Sequence, residues 1–176
     1  MRIKILSIAL FMVIAKFAIT QNSYQSYPAA GFKVFCYCKL TINSVFIEAA
    51  KSSGANNILG AYICAENEND PQTAVIVNIN VYDESASFQR LKPTLHDYLK
   101  KKLLEKYAGN LNQAGFKYEY VSFQGETALE YNFDQNGVPT KAIMFFKNQK
   151  SYLLQLATRS GLAAKYNALK SSFVII

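Results

Sequence analysis

Apolar and polar positions alternate most cleanly over residues 73–82. Val75, Val77, Ile79 and Val81 fall on one face, with Asn78 and Asn80 on the other. That period of two predicts a half-buried strand. Gly31 opens an earlier strand over residues 32–38, and residues 58–65 read as another. Between them, residues 44–50 suit a short helix or a strand, closed by the turn residues Ser52, Ser53, Gly54, Asn56 and Asn57. A polar turn runs from Glu66 to Pro71.

The period then changes. Leu95, Leu99, Leu103, Tyr107 and Leu111 recur at near-helical spacing after Pro93. Thr94 with Asp97 fits an N-terminal cap, so a long helix is predicted up to Gly115. Four strands in a meander follow, over residues 116–123, 127–133, 140–147 and around Tyr152, Leu154 and Leu156. They are joined by turns at Gln124-Gly125, Asn136-Gly137 and Asn148-Gln149. Asn-Gly favours a tight hairpin because both residues accept positive φ. Ser160 is a candidate cap for a closing helix with Leu162, Tyr166, Leu169 and Phe173 on one face.

Hairpin turns make the second group of strands antiparallel. The order of strands, helix, four strands and helix predicts an α+β fold: an antiparallel β-sheet with helices packed against it. No repeat, low-complexity segment or long linker divides it.

The start of the chain has a different logic. Arg2 and Lys4 precede an apolar run from Ile5 to Ala15, which Lys16 interrupts. A membrane-crossing helix needs roughly 20 apolar residues, whereas this run fits the apolar region of a secretory signal. Residues 1–20 are therefore expected to be a signal peptide, cleaved after Thr20 or after Ala18. Residues 21–30 would be a loose lead-in and 31–176 a single domain, outside the cytoplasm in the periplasm or the extracellular space. The remaining chain of about 150 residues is long enough for a core of its own.

The formal charge of +7 falls when Arg2, Lys4 and Lys16 leave with the signal. The modest remainder, on an exported chain, argues against nucleic acid as a partner. Lys100, Lys101, Lys102 and Lys106 cluster on the helix, a candidate docking patch for an acidic partner or for weak contact with a membrane surface. Cys36, Cys38 and Cys64 are the only cysteines. In an oxidising compartment either Cys36 or Cys38 can pair with Cys64, leaving the other as a free buried thiol or for an intermolecular bridge; the alternative is that all three stay free and buried. Zinc usually takes four ligands, so three cysteines with His96 as the only histidine make a poor zinc site.

Twelve Tyr and twelve Phe are many for 176 residues. Tyr118, Tyr120, Tyr131 and Tyr152 are candidates for an aromatic contact surface, since Tyr joins an apolar body to a polar tip; Tyr24 and Tyr27 add to the same set. His96 stands beside Asp97, but adjacent helical residues do not face each other, and no nucleophile accompanies them. Glu66, Glu68 and Asp70, and Asp134 with Asn136, are oxygen clusters without the spacing of a calcium loop. There is no G-x-S-x-G elbow, no phosphate loop and no H-E-x-x-H. No cofactor is expected.

Several of these features resemble the PsbP-like family. They are the opening strand at Gly31-Phe32, the long middle helix, and Gly125-Glu126-Thr127-Ala128 entering a strand. The hairpin of residues 129–146, the strand of residues 152–157 and the ending Lys170-Ser171-Ser172-Phe173 complete the set. The resemblance covers residues 29–176, with Cys36-Tyr37-Cys38 where the family often has Pro and an aromatic. It implies an α/β/α sandwich and an exported binding or assembly role without catalysis. The partner would be an envelope protein or a small hydrophobic ligand, the latter carried between sheet and helix.

Overall fold

A computed structural model describes residues 24–176. The expected signal segment lies outside the described residues.

The chain enters as β1 (Tyr24–Tyr27) and β2 (Phe32–Phe35), passes β3 (Thr41–Ile42) and α1 (Ser44–Ser52), then forms β4 (Ile58–Glu66) and β5 (Val75–Asp83). A short helix α2 (Ser85–Phe88) and a 3-10 turn at Pro93–Leu95 lead into α3 (His96–Gln113). The meander is β6 (Tyr118–Phe123), β7 (Glu126–Gln135), β8 (Val138–Lys147) and β9 (Lys150–Thr158), followed by α4 (Leu162–Ser172) and β10 (Val174–Ile175). The main sheet has seven strands in the order β3-β4-β5-β9-β8-β7-β6, and each neighbouring pair is antiparallel.

The three hairpin turns of the meander each place two residues at positive φ: Gln124 and Gly125, Asn136 and Gly137, and Asn148 and Gln149. This mirror-image geometry matches the right-handed twist of the flanking strands. It sets the register so that β8 sends Ile143 and Phe145 to one face and Ala142, Met144 and Phe146 to the other. The first face carries the larger core, with Val75, Val77, Ile79, Val81, Leu154 and Leu156 beneath α4 and β2. The second packs against α3 through Leu104, Ala108 and Leu111. The sheet thus has a helix on each face, as the PsbP-like resemblance implied.

Four expectations need correcting. Residues 24–27 of the expected lead-in form β1, which pairs with β2, while β10 pairs along the other edge of β2 in a second, three-stranded sheet. Thr94 does not cap α3: it lies in the 3-10 turn, and the N-cap position is Leu95, without a side-chain bond. The buried stripe of α3 is Leu104, Ala108 and Leu111, flanked by Leu103 and Tyr107, while Leu95 is exposed. A constant step of four residues drifts round a helix of 3.6 residues per turn, so the row starting at Leu95 cannot stay on one face. The N-cap of α4 is Gly161 in the left-handed region, not Ser160.

The larger core also holds a charged cluster. Glu130 of β7 accepts a hydrogen bond from Lys170 Nζ at 2.7 Å and has Lys141 Nζ at 3.8 Å. Both lysines stand over the ring of Tyr166, whose hydroxyl is buried without a hydrogen-bond partner among the described residues. Burial alone would raise the Glu130 pKa, but the Lys170 bond and the Lys141 charge outweigh it, and the carboxyl sits below its ordinary 4.5. A lowered acid pKa stabilises the fold above the unfolded value and loses that contribution as pH falls through the folded one. The melting temperature of the native chain should therefore fall more steeply than that of Glu130→Gln between about pH 5 and about pH 3. At neutral pH the variant should lose about 1–2 kcal/mol. Parallel pH profiles in thermal melts would show that the cluster contributes nothing.

Candidate functional site

Helix α3 covers only part of its face of the sheet, leaving a hollow beside its first half. On the side of β6 and the β6–β7 turn an open groove of about 800 Å³ runs between helix and sheet. Its floor is apolar, made by Leu104 and Phe146, each 3% exposed. Tyr120 forms one wall and is 53% exposed. Its ring meets that of Tyr118 edge to face at 5.8 Å, an arrangement aromatic pairs favour.

The rim carries charges of both signs. Lys100 Nζ donates to Glu126 Oε2 at 2.8 Å and lies 3.2 Å from Asp97 Oδ1. Burial opposes the Lys100 charge, yet the bonds to Glu126 and Asp97 more than offset it, so its pKa is raised. Lys102 pairs with Glu105 at 2.8 Å. Lys101 also lines the groove. The expected four-lysine patch is therefore divided: Lys100 and Lys102 are tied to carboxylates, and Lys101 and Lys106 have no ion-pair partner among the described residues. Asp97 and Glu105 reach these lysines as neighbours three residues apart on α3, and the turn at Gln124-Gly125 swings Glu126 against Lys100 as well. No helical pattern along residues 95–111 signals that neighbour.

The aromatic surface also shrinks. Tyr131 and Tyr152 are 4% and 1% exposed and belong to the core. Tyr131 shares a hydrogen bond of 3.0 Å with Tyr107, and Tyr152 donates to the carbonyl of Ala30. Burial pushes the Tyr152 phenol up to about 12. Alternation along β7 and β9 fixed which residues share a face, but both faces of this sheet are covered, so facing outward from one core meant entering another. Tyr120 remains at the groove, on the edge strand β6, while Tyr118 is half-buried behind it against the core under α3. Tyr24 is exposed, and Tyr27 is half-buried against Phe32 and Tyr62.

On the other flank of α3 a smaller hollow of about 460 Å³ is lined by Tyr82, Glu84, Tyr107 and Ser151. Ser151 Oγ donates to Glu84 Oε1 at 3.0 Å. Burial, aided by the charge of Asp83, raises the Glu84 pKa despite that bond. His96 packs edge to face on Phe88 at 5.1 Å, away from any partnership with Asp97, which turns to Lys100. Asp70 closes its own turn by accepting bonds from Thr73 and the Gln72 amide, and Asp134 accepts one from the amide of Gly137.

The cysteines lie at the far edge of the larger core. The disulfide joins Cys38 to Cys64, and Cys36 is free and buried. The strand expected over residues 32–38 ends at Phe35. The bend after it brings Cys38, as well as Cys36, over β4.

No protein-family model matches the chain, and no curated protein does. Among solved structures it is similar to cyanobacterial PsbP from Synechocystis, at 12% identity over 92% of this chain and 96% of that one, with a TM-score of 0.43. It is also similar to LpqN, a protein involved in cell envelope biogenesis of Mycobacterium tuberculosis (18% identity, 66% and 70% of the chains, TM-score 0.33). A Pseudomonas aeruginosa protein of unknown function gives 16% identity over 61% and 74%, with a TM-score of 0.37. The likeness is one of fold.

Proposed function

We propose that this chain is an exported, non-enzymatic binding module that takes a protein partner at the groove between α3 and β6. The observation that carries this reading is the groove's make-up: an apolar floor, an exposed Tyr120 and charges that, Lys101 aside, are satisfied as ion pairs. Interface centres are rich in Tyr and poor in unpaired charge. Lys101 adds an unpaired charge at the rim, where it can guide encounter with an acidic surface. The Cys38–Cys64 disulfide supports export, because such bonds persist in oxidising compartments.

The alternative reading, a carrier of a small hydrophobic ligand between sheet and helix, has less in its favour. The layer between α3 and the sheet is filled by Leu104, Ala108 and Leu111 against Leu129, Met144 and Tyr131.

A photo-crosslinking side chain placed at Tyr120, in the protein expressed in its own envelope, tests the proposal. A discrete protein adduct at Tyr120, absent when the same group replaces Asn69 at the β4–β5 turn, is the expected result. No adduct, or the same adducts at both positions, overturns it. A lipid or other small adduct at Tyr120 overturns it in favour of the carrier or of membrane-surface contact.

A further inference from the structure

The three sulfur atoms of Cys36, Cys38 and Cys64 lie within 4.8 Å of one another. Cys36 Sγ is 3.4 Å from Cys64 Sγ. Because Cys64 is already bonded to Cys38, the hydrogen between them belongs to Cys36, whose thiol points at a disulfide sulfur. The positions differ in access: Cys36 is 0% exposed and Cys64 6%, whereas Cys38 is only partly buried. A spare buried thiol elsewhere in a core would be inert; this one stands beside the one bond it can exchange with.

We propose that these residues form an internal thiol–disulfide exchange centre, in which Cys36 displaces Cys38 from Cys64 and delivers a free thiol to the accessible Cys38 position, as a site for a partner bearing a disulfide. Cys36 loses its proton and its thiolate attacks Cys64 Sγ. The Cys36–Cys64 bond forms as the Cys64–Cys38 bond breaks, and Cys38 leaves as a thiolate that takes up a proton. One disulfide and one thiol are present before and after, so no oxidant or reductant is required. The sulfurs must close from 3.4 Å to about 2.05 Å, and because all three lie within 4.8 Å of one another, side-chain rotation must also swing Cys36 Sγ towards the line of the Cys64–Cys38 bond along which a thiolate attacks. The freed Cys38 thiolate can then attack a partner's disulfide, bonding to one of its sulfurs and releasing the other as a thiolate. Burial pushes the Cys36 thiol up, with the backbone amides of Cys38 and Tyr37 acting the other way. Burial wins over the amides, so Cys36 rests as a protonated thiol and the exchange is slow until it ionises.

Prolonged treatment of the native, non-reduced protein with N-ethylmaleimide, followed by digestion and fragmentation across Cys36-Tyr37-Cys38, locates the thiol. The expected adduct is on Cys38, with Cys36 linked to Cys64. An adduct on Cys36 alone, or none until the chain is denatured, overturns the proposal. Cys36→Ser should take up at least about tenfold less label at Cys38, since the attacking thiol is gone; equal labelling overturns it. Cys38→Ser provides a second measurement. Its oxidised form should be lighter by two hydrogens and lack free thiols, and two persistent thiols in a folded variant would overturn the exchange.

Discussion

Phe173→Ala should be the most damaging single change in the larger core, costing roughly 3–5 kcal/mol and lowering the melting temperature by about 10 °C. The side chain is 0% exposed. It stacks on Phe32 at 5.1 Å and meets Tyr152 at 5.8 Å, Phe145 at 6.0 Å and Phe123 at 6.5 Å. These partners come from β2, β6, β8 and β9, so one ring joins the small sheet to the main sheet where α4 ends. Truncation removes buried area and leaves a cavity walled by rings that cannot collapse without breaking their own contacts. The backbone is held independently, since Gln124 Nε2 donates to the Phe173 carbonyl at 2.8 Å. The loss should therefore come from packing, with the secondary structure of the folded variant unchanged. Thermal unfolding followed by circular dichroism measures it. A shift under about 3 °C, less than a 1 kcal/mol change gives in chains near this size, would mean that the ring cluster is not the joint between the sheets.

Cys64→Ser should cost about 3–4 kcal/mol under oxidising conditions. The disulfide spans a sequence separation of 26, and closing a loop of that size restricts the unfolded chain by about that amount in the chain-entropy account. The comparison with Cys38→Ser is sharper than either value alone. Cys64 is the sulfur common to both pairings, so its loss abolishes any bridge. With Cys38 replaced, Cys36 stands in reach to take over the bond, and most of the stability should remain. Urea unfolding without reductant separates the two. Equal losses would show that Cys36 cannot serve as a substitute and that the third sulfur is only packed nearby.

Legibility differed along the chain for identifiable reasons. The meander was readable because each element announces itself locally: alternation along β5, β7 and β9, and turn pairs such as Asn136-Gly137 with the positive φ they require. The closing helix was readable because Tyr166 and Leu169 return to one face at a spacing of three and are buried, and Phe173, also buried, follows directly where the helix ends. The stripe of α3 was misplaced, since Leu95 and Leu99 are as apolar as Leu104 and only the position of the sheet decides which of them it covers. β1 and β10 were missed because four-residue and two-residue strands contain too few positions to show a period.

The candidate site was less legible than the fold. Lys100 and Lys101 stand out as charge, and Tyr120 as an aromatic, but Glu126, Leu104 and Phe146 complete the groove from elements far apart in sequence. Glu126 had only a turn motif to mark it.

The sequence by itself determined the class of the fold, the antiparallel meander and its turns, the two main helices and the set of three cysteines. These follow from periodicity and from local backbone preferences, which act over a few residues. The tertiary structure alone decided that β5 pairs with β9, that Cys38 and not Cys36 bonds Cys64, that Tyr131 and Tyr152 are core, and that Lys100 is neutralised by Glu126. Each of these depends on which distant segments become neighbours when both faces of one sheet must be covered at once, and no local pattern carries that choice.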